Sequence, residues 1–492
     1  MANYRAPGVY VEEISSFPPS VVAVETAVPA FIGHTVRRPE RPLPPDMVAA
    51  DPEEDRPIQP VKIGSLLEFE ELFGRGVPPT IDRIELDDNH QFVRAGLTQT
   101  FYLYSAVQLF YANGGGDCYV VSVDSLLDDT VVSPNAGELG EGIAALATWD
   151  EPTILLVPDA VSLGGAPHAS YGLADTLLQH CQAMKDRVAI LDLPQGDMDG
   201  TAFRDNTGTS GLAYGAAYTP WLNAALPKPY DANVIDDSAS IFVGAGAGAG
   251  VSLQAAVPTD EGPLVAAAVG AGPGSDEATT LYDESPTYRS ILRGLNATAL
   301  PLPPSGAVAG LYAFVDRSRG VWKAPANVSV SSVQSVTETF TQSELGNLNV
   351  DATSGKSINA IRHFSGKGIL VFGARTLAGN DGDYKYISVR RLMNMLEESI
   401  KKATEQFVFE PNDANTWTRV QAMIENFLTL LWRDGALQGA KQEHAFRVAV
   451  GLGRTMTPQD VIDGRMIIEI AVAPVRPAEF IVLRFMQHLP NS

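Results

Sequence analysis

A mixed α/β (α+β) fold is predicted, with a compact C-terminal α/β domain, a peripheral insertion and extended strand arms at both ends. Three observations carry it. The middle of the chain orders strand, amphipathic helix and strand as a βαβ unit does. The last third combines strong helical and strand periodicities. Both ends alternate apolar and polar residues like half-buried strands that lack a core of their own.

At the N-terminus residues 1–25 read MANYRAPGVYVEEISSFPPSVVAVE. Val9 and Val11 share one face and Tyr10 and Glu12 the other. At the C-terminus residues 466–485 read MIIEIAVAPVRPAEFIVLRF. Met466, Ile468 and Ile470 alternate with Ile467 and Glu469, and a second strand over 480–485, carrying Phe480, Ile481 and Val482, follows Pro474 and Pro477. Prolines interrupt both ends, so neither reads as a regular hairpin. Apolar strands left unpaired are an aggregation hazard. A chain with such strands at both ends pairs them with copies of itself, which points to a polymer more than to an enzyme.

Between the arms, residues 30–33 (AFIG) read as a short buried strand, and residues 37–60, rich in Pro, Arg, Asp and Glu, as an exposed loop. Residues 63–74 read as a short helix capped by Ser65, with Glu68 three residues on and Gly74 as the stop. Residues 97–112 read as an apolar helix ending at the glycines after Asn113, followed by the strand 118–123. The βαβ unit comprises the strand 154–157, a helix over 171–187 with Leu173, Leu177, Leu178, Cys181 and Met184 on one face, and the strand 188–193. Residues 225–300 include a Gly/Ala alternation over 244–250 and read as a peripheral low-complexity insertion with long loops. In the last third, Leu392, Met395, Leu396, Ser399 and Ile400 form one helical face. Trp417, Val420, Ile424, Phe427, Leu428 and Leu431 form another, with Asn415 or Thr416 as the cap and Gly435 as the end. The predicted organisation is an arm over 1–25, an α/β domain over 26–224, the insertion over 225–300, a return to the core over 301–345, a C-terminal domain over 346–465 and an arm over 466–492.

Composition narrows the function. A chain of 492 residues exceeds one small core. Its net charge of −23 is uneven: residues 320–492 hold 18 Lys+Arg against 17 Asp+Glu, so the acidic excess lies in residues 1–319. That argues against nucleic acid as a partner. Two cysteines, Cys118 and Cys181, do not make a disulfide framework and fit synthesis in a reducing compartment. The N-terminus has no secretory pattern and no apolar run is long enough to span a membrane.

Catalytic signatures fail on detail. The glycines after residue 243 lack the sixth-position glycine and the following amphipathic helix of a dinucleotide loop. Gly366-Lys367-Gly368 lacks the spacing of a phosphate loop and reads as a turn before the strand 369–372. The seven histidines show no metal-ligand spacing, and there is no nucleophile elbow. No catalytic, cofactor or metal residue is predicted. The alternatives are an oligomeric α/β enzyme with strand-exchanging arms, which needs a pocket with convergent polar groups, and a surface-binding module, which needs a secretion signal.

Several segments in order carry a family resemblance. They include PGVYVEE (7–13), AFIG (30–33), NGGGDCYVV (113–121), GAVAGLYA (306–313), GVWKAPAN (320–327), GARTL (373–377), YISVRRL (386–392), FEPN (409–412), GALQG (435–439) and PVRPAEFI (474–481). Together they resemble contractile-tail sheath proteins, the outer sheath of contractile phage tails and of related bacterial injection systems. Residues 37–60 and 225–300 lie outside it. The resemblance implies a non-enzymatic structural subunit without cofactors. It assembles in the bacterial cytoplasm as stacked six-subunit rings around an inner tube, with baseplate and terminal cap proteins as further partners and no direct membrane insertion. The terminal arms add strands to neighbouring subunits, contraction drives the tube through a target envelope, and release is by lysis. On that reading Val9, Tyr10, Val11, Ile468, Ile470, Phe480, Ile481 and Val482 are the arm strands. The basic residues Arg390, Arg391, Lys401 and Lys402 are candidate contacts to an acidic tube, the plain alternative being solvated helix ends favoured by the helix dipole.

Overall fold

Alternation along the strand Pro29–Thr35 sends Phe31 to one side of a sheet and Ala30 and Ile32 to the other, and all three are fully buried. Both faces of that sheet are therefore covered. The computed structural model describes residues 20–39, 58–126, 133–165, 168–228, 230, 241–244, 250–272 and 274–484. The described residues fall into two units, one of residues 25–394 with the tail from 476, the other of residues 20–24 and 395–475.

The strands, in chain order, are β1 (Pro29–Thr35), β2 (Pro60–Ile63), β3 (Thr80–Leu86), β4 (Phe92–Thr98), β5 (Cys118–Ser125), β6 (Ile154–Leu156), β7 (Val188–Asp192), β8 (Gly215–Thr219) and β9 (Leu222–Ala224). They continue with β10 (Ile241–Val243), β11 (Leu300–Leu302), β12 (Val328–Ser329), β13 (Val333–Val336), β14 (Ile358–Phe364), β15 (Gly368–Val371), β16 (Phe446–Val450) and β17 (Ile468–Val472).

The larger unit is built on a nine-stranded sheet in the order β12-β15-β14-β8-β7-β6-β1-β5-β2. The six strands from β14 to β5 run parallel; β2 at one edge is antiparallel to β5, and at the other β15 is antiparallel to β14 and β12 to β15. One face carries the helices Leu103–Ala112 and Ser305–Arg319, the other Ala136–Ala145 and Ala169–Met184. Gly306 and Gly310 explain the 306–313 motif. A Cβ at Gly306 would lie 2.3 Å from the carbonyl oxygen of Ala106, and one at Gly310 2.5 Å from that of Phe110. The two helices approach backbone to backbone, which only glycine permits.

Three readings are corrected here. Residues 97 and 98 end β4 and the helix begins at Leu103, because the apolar run 97–112 is two elements that periodicity alone does not divide. Residues 225–300 are not mainly loop: the helices Gly262–Ala271, Asp276–Glu284 and Pro286–Ala297 join β3, β4 and β10 around a separate core of Ile84, Leu86, Leu281 and Leu295. The helix Ala414–Arg433 is capped by Asp413, which accepts the N–H groups of Asn415 and Thr416. The Ser65 cap is present, with Glu68 accepting the N–H of Gly64, and residues 364–368 form the turn between β14 and β15.

The order of β5, β1 and β6 creates a switch point at their carboxyl ends, where doubly wound sheets hold ligands. Here the chain fills that crevice itself. Asp159, fully buried, accepts the N–H groups of Tyr102 and Leu103 at the start of a helix (2.6 and 3.0 Å) and that of His34 (2.8 Å). A Cβ at Gly33 would lie 2.5 Å from the Asp159 carboxylate. The His34 ring lies between Asp159 (Nδ1, 3.3 Å) and Glu138 (Nε2, 3.2 Å). Burial alone would lower the His34 pKa, but hydrogen bonds and charge from Asp159 and Glu138 outweigh it, and the net shift is upward.

A pKa raised on folding favours the native state fully below the unfolded value of about 6.5, and the contribution fades as pH rises through the folded value. Melting curves from pH 5.5 to 8.5 should therefore show a loss of stability with rising pH that is absent in His34→Gln. A His34→Gln profile parallel to wild type would remove the imidazolium from this role.

Candidate assembly surfaces

In the smaller unit, Val420, Ile424, Phe427 and Leu428 of the helix Ala414–Arg433 are buried, and that helix packs against β16. β16 pairs antiparallel with β17, with Val448 opposite Ile470 and Val450 opposite Ile468. Among the described residues these two strands pair only with each other. Ile468 and Ile470 thus belong to a strand hydrogen-bonded within the chain, rather than to a detached arm, and the outer edge of β17 carries no strand. Sequence alternation reports which face a residue occupies, not which strand lies beside it. Val9, Tyr10 and Val11 lie outside the described residues. Residues 20–24 are held at Val24, whose N–H donates to Ser399 Oγ (3.0 Å).

Phe480, Ile481 and Val482 follow an anchor that the sequence reading missed. Glu479 receives two hydrogen bonds from Arg375, Nε to Oε1 at 2.9 Å and Nη2 to Oε2 at 2.6 Å. Asn349 Nδ2 (2.7 Å) and Tyr386 Oη (3.0 Å) donate to the same carboxylate. Burial would raise the Glu479 pKa, but these donors and the Arg375 charge override it, and the net shift is downward. Arg476 adds a bond to the Gly382 carbonyl (2.8 Å). Beyond the anchor, Phe480, Ile481, Val482 and Leu483 are 70–81% exposed and belong to no helix or strand. These are four consecutive large apolar side chains in water, on backbone that has no strand partner among the described residues.

The four basic residues separate into two kinds. Arg390 and Arg391 are buried, which corrects their reading as tube contacts. Arg391 forms a bidentate pair with Asp316 (Nη1 to Oδ1, 3.0 Å), donates to the Thr26 carbonyl (2.8 Å) and lies over the Tyr312 ring. Arg390 donates to Asn394 Oδ1 (2.7 Å) and stacks on Tyr384 and Tyr214. Both guanidinium groups hold the start of the helix Ile387–Thr404 to the core of the larger unit. Lys401 and Lys402 are solvent-exposed near the end of that helix, each paired with Glu398 (3.2 and 3.4 Å).

Residues 380–487 match the phage tail sheath C-terminal domain model. The chain is 29% identical over 186 residues to the tail sheath protein of Vibrio phage KVP40, and 28% identical over 175 residues to that of Burkholderia phage BcepMu. Those stretches span 38% and 34% of this chain, but only 26% and 35% of the two phage proteins. Over 99% of its length the chain is similar to a protein in the structure of the anti-feeding prophage helical sheath in the contracted state, with 30% identity, full coverage of that chain and a TM-score of 0.60. It is likewise similar, over 99% of both chains, to one in the contracted sheath complex of the extracellular contractile injection system PVC, with 28% identity and a TM-score of 0.59. The chain belongs to the contractile tail sheath family. Among the described residues no helix is long and apolar enough to cross a membrane.

Two outcomes check the site. Breaking a buried ion pair leaves an uncompensated charge, so Arg391→Ala should lower the unfolding free energy by about 3–5 kcal/mol in denaturant titrations, whereas Lys401→Glu with Lys402→Glu should change it by less than about 1 kcal/mol. Glu479→Ala should speed hydrogen exchange across residues 476–481 while the strands of the main sheet keep their protection. Unchanged exchange in that segment would mean that Glu479 does not hold the tail.

Proposed function

We propose that the chain polymerises with copies of itself into a contractile sheath, the outer layer of a phage tail or tail-like particle. In this reading the subunits form stacked six-membered rings around an inner tube, bounded by a baseplate and a terminal cap, and contraction drives the tube through a target envelope. Assembly takes place in the cytoplasm of the producing bacterium, with release by lysis. The observation that carries the proposal is the pairing deficit of the chain. Among the described residues, β17 has an unpartnered edge, and the segment after Glu479 has four exposed apolar residues without a strand partner. A second copy satisfies both at once, the tail of one subunit lying along β17 of the next. The N-terminal residues Val9, Tyr10 and Val11 are proposed to add a further strand. Lys401 and Lys402 remain the proposed contacts to an acidic tube.

The role is that of a structural subunit. The crevice where an α/β enzyme would bind its substrate is occupied by Asp159, His34 and a helix terminus. Both cysteines are buried, with burial pushing the Cys118 thiol up to about 12 and that of Cys181 upward as well.

Negative-stain electron microscopy of the expressed protein tests the proposal. The full chain should form striated tubes, and deletion of residues 1–20, or of residues 480–492, should leave folded subunits that form none. Discrete particles of fixed size, unchanged by either deletion, would refute it.

A further inference from the structure

One aromatic side chain is displayed at a cost to the fold. Residues 407–410 form a tight turn closed by the Glu410 N–H donating to the Phe407 carbonyl (3.1 Å). Val408 has φ −66° and ψ 130°, and Phe409 has φ +70°. This is a type II turn, whose third position requires positive φ and favours glycine or asparagine. A bulky side chain in that backbone region is strained. Yet the Phe409 side chain touches nothing that would compensate: the residue is fully exposed, and Val408 beside it is 61% exposed.

The surrounding residues hold the turn in place. Phe407 is buried with Arg419 over its ring. Trp417 Nε1 donates to Asn412 Oδ1 (2.7 Å), and Asp413 caps the next helix. Asn412 Nδ2 in turn donates to the Arg465 carbonyl (3.0 Å), three residues before β17. The turn is thereby fastened to the entry of the strand whose outer edge is unpartnered, in a stretch where Ile462 and Ile467 are also exposed.

We infer that Phe409 is an anchor residue for a second copy of this chain, the copy whose strand lies along β17. The inference rests on the self-assembly reading and adds the residue that extends the contact beyond the added strand. Aromatic anchors carry a disproportionate share of interface energy. A strained backbone that holds such a ring in water is accounted for if the ring is covered on assembly. Continuity with β17 selects the second copy over other partners.

The test compares full-length wild type with Phe409→Gly and Phe409→Ala. Melting of dilute subunits and the critical concentration for sedimenting polymer are measured on each. Glycine relieves the strained position, so Phe409→Gly should melt at or above the wild-type temperature while its critical concentration rises about tenfold or more. Phe409→Ala, which keeps the backbone strain, should show the same assembly defect without a gain in melting temperature. A Phe409→Gly subunit that polymerises at the wild-type concentration would overturn the inference and leave the sheath reading intact. A Phe409→Gly subunit that melts well below wild type would also overturn it, because the ring would then serve the fold. Normal polymerisation with loss of co-sedimentation on the inner tube would overturn the assignment to a second copy. Discrete particles from wild type itself would defeat the self-assembly reading and this inference together.

Discussion

Backbone N–H and C=O groups need partners, and among the described residues two stretches of this chain have no strand beside them. One is the outer edge of β17, in a sheet of only two strands. The other is the segment after Glu479, with its exposed Phe480, Ile481, Val482 and Leu483. An isolated two-stranded ribbon is marginal in water. The smaller unit offsets this by packing β16 against the helix Ala414–Arg433, but nothing within the described chain completes the sheet. On the proposed reading, strand addition from a second subunit would answer this with main-chain hydrogen bonds, which depend little on side-chain identity, and leave specificity to the apolar residues beside them. The Glu479 anchor fixes where the exposed tail begins.

The larger unit is tightly filled, its core packed against both sides of the main sheet. Its parallel sheet is covered on both faces, and its switch-point crevice holds the Asp159–His34–Glu138 network. Two helices meet at Gly306 and Gly310 with no room for a methyl group. The pair of Arg391 and Asp316 ties the helix Ile387–Thr404 to that core. Since this helix also supplies residues of the smaller unit, the ion pair sits at the root of the chain's passage between the two.

Much of this was legible in residues, and the failures have physical causes. The alternation over 466–470 marks β17 because a period of two is set by backbone geometry alone, whereas the alternation over 480–485 predicts a second strand that residues 480–484 do not form. The first did not reveal that Ile468 and Ile470 pair within the chain, since alternation encodes a face and not a neighbour. Arg390 and Arg391 were read as surface charges because their partners are remote: Asp316 lies 75 positions away and Tyr214 still further. Glu479 looked like one acidic residue among 58 Asp and Glu, with Arg375, Tyr386 and Asn349 scattered before it. Residues 225–300 read as an insertion with long loops because the helix Gly262–Ala271 consists largely of small residues and has no apolar stripe. Phe409 was named only within a motif; its meaning lies in a positive φ and in full exposure, neither of which the sequence states.

The central claim is that the tail of one subunit completes the sheet of another. A helical reconstruction of the polymer, at a resolution that traces main chain, tests it most directly. The account predicts residues 480–484 as a strand hydrogen-bonded to the outer edge of β17 in a neighbouring copy, with Glu479 still bound by Arg375 of its own chain. Tail density on the subunit's own surface, with the β17 edge open to solvent or covered by an unrelated element, would contradict it.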